Sequence, residues 1–203
     1  MPQTEQFSQT GYSVIRSVIP DKQHRFLFAY ILDRYGSIAA PPGDEQVPET
    51  PFAYADFVSE RLLEALQPSI EDRVGASLYP TYSYLRLYKH GDALKKHVDR
   101  PACEISATLC VGYEPDAPWP IWIGGRGSEA AVTLLAGDMM VYRGMDVPHW
   151  REPYAGGRLA QIFLHYVDRA GPNSDWKYDK RPRLGTPPGG CGKYSGLRAD
   201  CND

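Results

Sequence analysis

Cysteine is scarce in this 203-residue chain: there are four, and none forms a Cys-x-x-Cys pair or a zinc-like cluster. Cys103 and Cys110 fall in or beside an apolar strand pattern and read as buried thiols. Cys191 and Cys201 lie in a Gly-rich tail where pairing is open, although a reducing compartment argues against a permanent bond. Charge of one sign is lacking too. The chain carries 22 Lys and Arg against 25 Asp and Glu, with no basic block. A net charge of −3 gives nucleic-acid binding no electrostatic footprint. Long apolar runs are missing, since even Phe26–Leu32 is too short to cross a bilayer. Residues 1–10 are polar and lack the apolar stretch of a secretory signal, so the cytoplasm is the expected location.

What is present is ordinary globular material, 42% hydrophobic and 23% charged. The length suits a single domain over 1–170, with helical support in 1–75, a β-rich part in 76–170 and an extended tail in 171–203. β-branched residues predict a strand over 11–19, and helical spacing predicts a helix over 21–35 with Asp21 as N-cap and Gly36 as its stop. Pro41, Pro42, Gly43 and Pro48 make 37–51 a loop able to reach over a site. A second helix is expected near 54–66. Short β segments then follow at 82–89, 104–113, 120–123, 131–135, 138–143 and 158–167. The expected class is mainly β with flanking α, a jelly roll with the N-terminal helices packed on its outer face.

The chemistry-bearing residues cluster in this β-rich part. In His97-x-Asp99 the two side chains of an extended segment point to one face and can meet one metal ion. His149 lies 52 residues beyond His97, a separation that suits ligands brought together across a barrel. Two histidines and one carboxylate are the donor set of the facial triad, which holds Fe(II) on one side and leaves the opposite positions open. Arg158 opens an apolar strand, where a buried charge needs a partner such as a dicarboxylate; a surface Asp or Glu is the plainer partner. Alternation puts Tyr84, Arg86 and Tyr88 on one strand face and Leu85 and Leu87 on the other. Arg100, Arg126 and Trp150 are further candidates for substrate contact, and Trp150 and Arg151 flank His149.

The ordered set Tyr88-x-x-Gly91, His97-x-Asp99, Ala107-Thr108-Leu109, Gly137-Asp138, His149 and Arg158 resembles the Fe(II)- and 2-oxoglutarate-dependent oxygenases, in their prolyl-hydroxylase-like branch. The resemblance covers roughly residues 82–168 and implies the double-stranded β-helix form of the jelly roll. It implies that His97, Asp99 and His149 ligate iron, that Arg158 clamps the 5-carboxylate of 2-oxoglutarate, and that Tyr88 donates a hydrogen bond to it. Dioxygen is the second cosubstrate, and ascorbate is the expected reductant. The implied reaction hydroxylates an unactivated C–H bond of a small molecule, amino-acid-like among the choices, or of a peptide side chain. It is coupled to conversion of 2-oxoglutarate to succinate and CO2. Halogenating relatives lack the carboxylate that Asp99 supplies, so its presence favours hydroxylation. No nucleic-acid or membrane partner is expected. Two alternatives stand beside this reading. One is a cupin-like Fe(II) oxygenase without 2-oxoglutarate, and the other is a non-catalytic jelly-roll binding module.

Overall fold

Successive side chains of a strand point to opposite faces, so a long strand can separate two packed layers. Two strands of this protein do so over most of their length. The computed structural model describes residues 3–36, 43–115, 117–124 and 129–186. In chain order its elements are α1 (Gln3–Thr10), β1 (Tyr12–Ile15), α2 (Asp21–Tyr35), β2 (Phe52–Tyr54), α3 (Phe57–Val74), β3 (Leu78–Lys89) and β4 (Leu94–His97). There follow β5 (Ile105–Glu114), β6 (Ile121–Gly124), β7 (Glu129–Val132), β8 (Met139–Arg143), β9 (His149–Arg151) and β10 (Arg158–Asp168).

The strands form two antiparallel sheets, of order β1-β8-β5-β10-β3-β2 and β4-β9-β6-β7. This is the jelly roll expected from the sequence. On the outer face of the larger sheet, Leu85, Leu87, Leu109, Ala160, Ile162 and Leu164 join a core with Phe7, Ile31, Leu63 and Ile70 of the helices. On its inner face Tyr82, Tyr84, Arg86 and Tyr88 of β3, with Phe163 and His165 of β10, line a cavity. The division of β3 into an aliphatic and a Tyr/Arg face is the one that its alternation predicts.

The sequence reading and the structure differ at the short elements. The helix expected at 54–66 begins at Phe57, behind an Asp56 side chain that accepts from the Ser59 N–H at 3.0 Å, and it runs on to Val74. The N-cap of α2 is Pro20, with no side-chain cap bond, and Asp21 is its first helical residue. The strand expected over 11–19 is only β1. The Gly137-Asp138 pair of the motif is a turn. Gly137 sits at φ +89°, which favours glycine, while Asp138 accepts from Arg16 at 2.6 Å and from the backbone N–H of Ser17 and Leu135.

The boundary expected at residue 170 also needs correction. Residues 174–180 form a kinked 3₁₀ segment, and Arg181 and Leu184 beyond it are buried against the domain. Arg181 makes an ion pair with Glu60 of α3 at 2.6 Å and donates to the Thr81 carbonyl at 2.9 Å. Cys191 and Cys201 lie outside the described residues. Deleting one half of so buried a pair strands the other charge. Arg181→Ala is therefore expected to lower the unfolding free energy by about 3–5 kcal/mol, read from urea unfolding. A change under about 1 kcal/mol would show that this segment adds little to the domain.

Candidate metal centre

β4 and β9 pair antiparallel and set His97 directly opposite His149, with ring centroids 4.3 Å apart. Asp99 follows β4, placed by its backbone N–H bond to the Gly144 carbonyl at 2.8 Å. Its Oδ1 lies 3.7 Å from Nε2 of His97 and 3.6 Å from Nε2 of His149. Each imidazole donates its Nδ1–H to a carbonyl two residues earlier, His97 to Lys95 at 2.8 Å and His149 to Val147 at 3.0 Å. Those bonds fix the tautomer and leave both Nε2 lone pairs aimed at the carboxylate. The three ligand atoms lie within 4.8 Å of one another, the arrangement of a two-histidine, one-carboxylate metal site.

The electrostatics suit a divalent cation. Burial, and then neighbouring His149, push the His97 pKa down, so its ring is neutral at neutral pH as a ligand must be. Burial alone would raise the Asp99 carboxyl, but His149, His165 and the Ser106 hydroxyl bring it down to about 2. It is therefore a carboxylate. Burial pushes His165 down to about 4.

A cavity of about 380 Å³ opens over these ligands, large enough for a small organic molecule. Arg86 and Tyr84 are on its wall, but their polar ends are already engaged. Arg86 pairs with Asp44 and donates to Gln46 at 2.9 Å, and the Tyr84 hydroxyl donates to Asp44 at 2.5 Å. Burial works against the Arg86 charge, yet Tyr88, Tyr84 and Asp44 hold its pKa above the ordinary value. Arg100 also lines the cavity and is held by both oxygens of Asp179, at 2.9 and 2.8 Å, over the face of Tyr82. Trp150 points away from the cavity and stacks on Trp122 at 5.9 Å. Arg126 lies outside the described residues.

Arg158 is not brought to the cavity. In β10 the residues facing the cavity side are Leu159, Gln161, Phe163 and His165. Arg158 has the opposite parity, and its half-exposed guanidinium forms an ion pair with Glu114. This is the surface-carboxylate partner weighed above, in place of a dicarboxylate. Arg158→Ala is expected to change the unfolding midpoint by less than about 1 kcal/mol equivalent, since exposed pairs contribute little.

A different arginine faces inward. Arg151 follows His149 by two residues on β9, so both side chains share a face, and both are buried. It donates to the Trp119 carbonyl, and its Nη2 reaches Gln161 at 3.4 Å. Among the described residues no carboxylate accompanies it, and burial lowers its pKa. Its Nε and the hydroxyl of Tyr88, also fully buried, have no hydrogen-bond partner among the described residues. Both side chains pack against Trp119, Arg151 with its guanidinium carbon 4.8 Å from the ring and Tyr88 edge-on at 5.0 Å. An unpaired buried cation beside an unpaired buried hydroxyl is what a carboxylate ligand would satisfy. The residues present thus fit both the metal and a carboxylate cosubstrate.

No family model matches the sequence, and no curated protein matches it. Solved structures do. A prolyl-4-hydroxylase from Pseudomonas putida superposes with a TM-score of 0.66 at 21% identity, over 84% of this chain and 100% of that one. A non-heme alpha-ketoglutarate-dependent epimerase from nogalamycin biosynthesis, SnoN, gives a TM-score of 0.68 at 14% identity, over 98% and 95%. AviO1 from Streptomyces viridochromogenes gives 0.62 at 19% identity, over 84% and 95%. At these identities the likeness is one of fold, and that fold is the double-stranded β-helix. Among the described residues, no helix is long and apolar enough to cross a membrane.

Proposed function

We propose that this protein, whose fold and metal-ligand arrangement point to the Fe(II)/2-oxoglutarate oxygenase superfamily on its prolyl-hydroxylase-like side, oxidises an unactivated C–H bond in the cavity above His97, Asp99 and His149. Iron(II) held by those three side chains would, with 2-oxoglutarate and dioxygen, supply the oxidising chemistry as 2-oxoglutarate is converted to succinate and CO2. The observation that carries the reading is the pairing of a His-Asp-His set with a buried arginine, two residues past the second histidine, that has no carboxylate partner among the described residues.

The chain's own groups divide the work. His97 and His149, locked by their backbone bonds, present neutral Nε2 donors, and Asp99 presents one carboxylate oxygen. Arg151, with Tyr88 beside it, takes the distal carboxylate of 2-oxoglutarate in the role first expected of Arg158. Burial there excludes water and makes the charged hydrogen bonds count for more.

At the open end, Arg86 and Arg100 are neutralised by Asp44 and Asp179. An acidic, amino-acid-like substrate would find no free cation among these residues. Tyr82, Tyr84 and Phe163 instead offer aromatic surface to an uncharged small molecule or peptide side chain. A cupin-like site without 2-oxoglutarate would leave Arg151 and Tyr88 with nothing to do.

An anaerobic titration of the metal-free protein with Fe(II) and then 2-oxoglutarate tests the reading. The visible metal-to-ligand charge-transfer band of the chelate is expected in the wild type. Iron binding with no band on adding 2-oxoglutarate would exclude the cosubstrate, and failure to bind iron would exclude the metal centre. Turnover assays then follow succinate, with ascorbate as reductant.

A further inference from the structure

Asp99 has a second oxygen, and its surroundings are built as carefully as those of the first. The Ser106 hydroxyl on β5 lies 2.8 Å from Asp99 Oδ2, 3.2 Å from the Cys103 carbonyl and 2.9 Å from Nδ1 of His165 on β10. A hydroxyl has one proton, and a carboxylate at the shorter distance takes it. The His165 ring must then donate its Nδ1–H to the serine oxygen. The result is a directed chain from His165 through Ser106 to Asp99, and Ser106 and His165 are both buried.

The third wall is Gly144. A Cβ at that position would collide with Asp99 Oδ2 and the Cys103 carbonyl and come within 2.8 Å of the Ser106 oxygen. The same glycine accepts the Asp99 N–H and donates its own N–H to the Glu104 carbonyl at 3.0 Å. Oδ2 is therefore seated in a close-fitting slot with a donor at its end, while Oδ1 lies 3.7 and 3.6 Å from the two histidine Nε2 atoms.

We propose that Ser106, oriented by His165, is a positioning residue that holds Asp99 as a one-oxygen ligand and so keeps a coordination position of the metal open. The inference rests on the metal reading above and deepens it. If Oδ2 were free to turn, both carboxylate oxygens could reach one cation. The facial site would then lose one of the positions it must offer to cosubstrate and dioxygen. Partners of this kind, one step behind the ligands, typically change metal affinity by about 10–100-fold when removed.

The test uses the full chain and Co(II) as the probe, read by titration of its d–d absorption band, without 2-oxoglutarate or turnover. Ser106→Ala is expected to change Co(II) affinity by about 10-fold or more and to alter the band, because the freed second oxygen of Asp99 changes the donor set, while the melting temperature reports that the fold is intact. Ser106→Thr, which keeps the hydroxyl, is expected to restore both affinity and band. His165→Asn, whose amide can replace the Nδ1–H donor, is expected to lie nearer the wild type than His165→Leu.

Wild-type affinity and an unchanged band in Ser106→Ala would overturn the inference, leaving the metal centre standing. Equal effects of Ser106→Ala and Ser106→Thr would overturn it too, because a packing role does not distinguish them. Should Ser106→Ala fail to fold, the His165→Asn and His165→Leu pair decides by the same band. A wild type that binds no Co(II) would remove the metal centre itself and the inference with it.

Discussion

Arg151→Met is expected to raise the dissociation constant for 2-oxoglutarate by about 30-fold or more, whereas Arg158→Ala leaves it near the wild-type value. The magnitude follows from burial. A charged hydrogen bond to a carboxylate in a desolvated site is typically worth 2–5 kcal/mol on truncation, and each 1.4 kcal/mol is about tenfold. Arg151 is 3% exposed and has no carboxylate partner among the described residues, while Arg158 is half exposed and answered by Glu114.

The variant should also fold, because removing Arg151 strands no partner anion. Thermal shift separates these outcomes. At 2-oxoglutarate about 100 times its dissociation constant, binding adds about 2.7 kcal/mol, or several degrees for a domain of this size. That gain is expected in the wild type and in Arg158→Ala, and it should fall below about 1 kcal/mol in Arg151→Met. Tyr88→Phe, which removes only the unpartnered hydroxyl, should lose a smaller part of it. Loss confined to Arg158→Ala would restore the assignment first drawn from sequence. Loss confined to Arg86→Met would move the clamp to β3 and imply that Asp44 is displaced by the ligand.

The second large effect concerns the ligands. His97→Ala, Asp99→Ala and His149→Ala are each expected to abolish the charge-transfer band and reduce succinate formation to background. Each would remove a proposed ligand outright, so the loss should exceed the 10–100-fold typical when an outer partner is removed. Among the three, Asp99→Ala carries the most information. It deletes the only anionic donor of the set, leaving two neutral imidazoles to hold a dication in a cavity also lined by two arginines. Succinate formation that persists unchanged in His97→Ala would sink the site assignment whatever the other variants do.

Much of this protein could be read along the chain because it is local. The alternation of residues 84–88 places Tyr84, Arg86 and Tyr88 on the cavity face and the leucines under the helices, and the packing agrees. The i, i+2 spacing brings His97 and Asp99 to one point, and helical periodicity marks α2 to its final residue. Besides the helix α1, the elements that escaped were the strands β2, β4 and β9, of three or four residues each. A strand of that length shows no period and is stabilised by its neighbours more than by its own residues. β9 is the costly omission, since it carries both His149 and Arg151. Its two-residue spacing was visible, but without a strand there was no reason to give the two side chains one face.

The jelly-roll class, the meeting of His97 with Asp99 and the lack of a basic block could all be read from the chain alone. The first and last rest on pattern and composition, and the second on spacing within one segment. Which charges are free was settled by folding. Arg86 and Arg100 are neutralised by Asp44 and Asp179, 42 and 79 residues away in the chain. Arg158 is turned outward by the parity of β10, and Arg151 is left inside with no anion among the described residues. Whether a buried cation is paired depends on which distant segments fold against it, and a ligand site is recognised by the pairing that the fold leaves unmade.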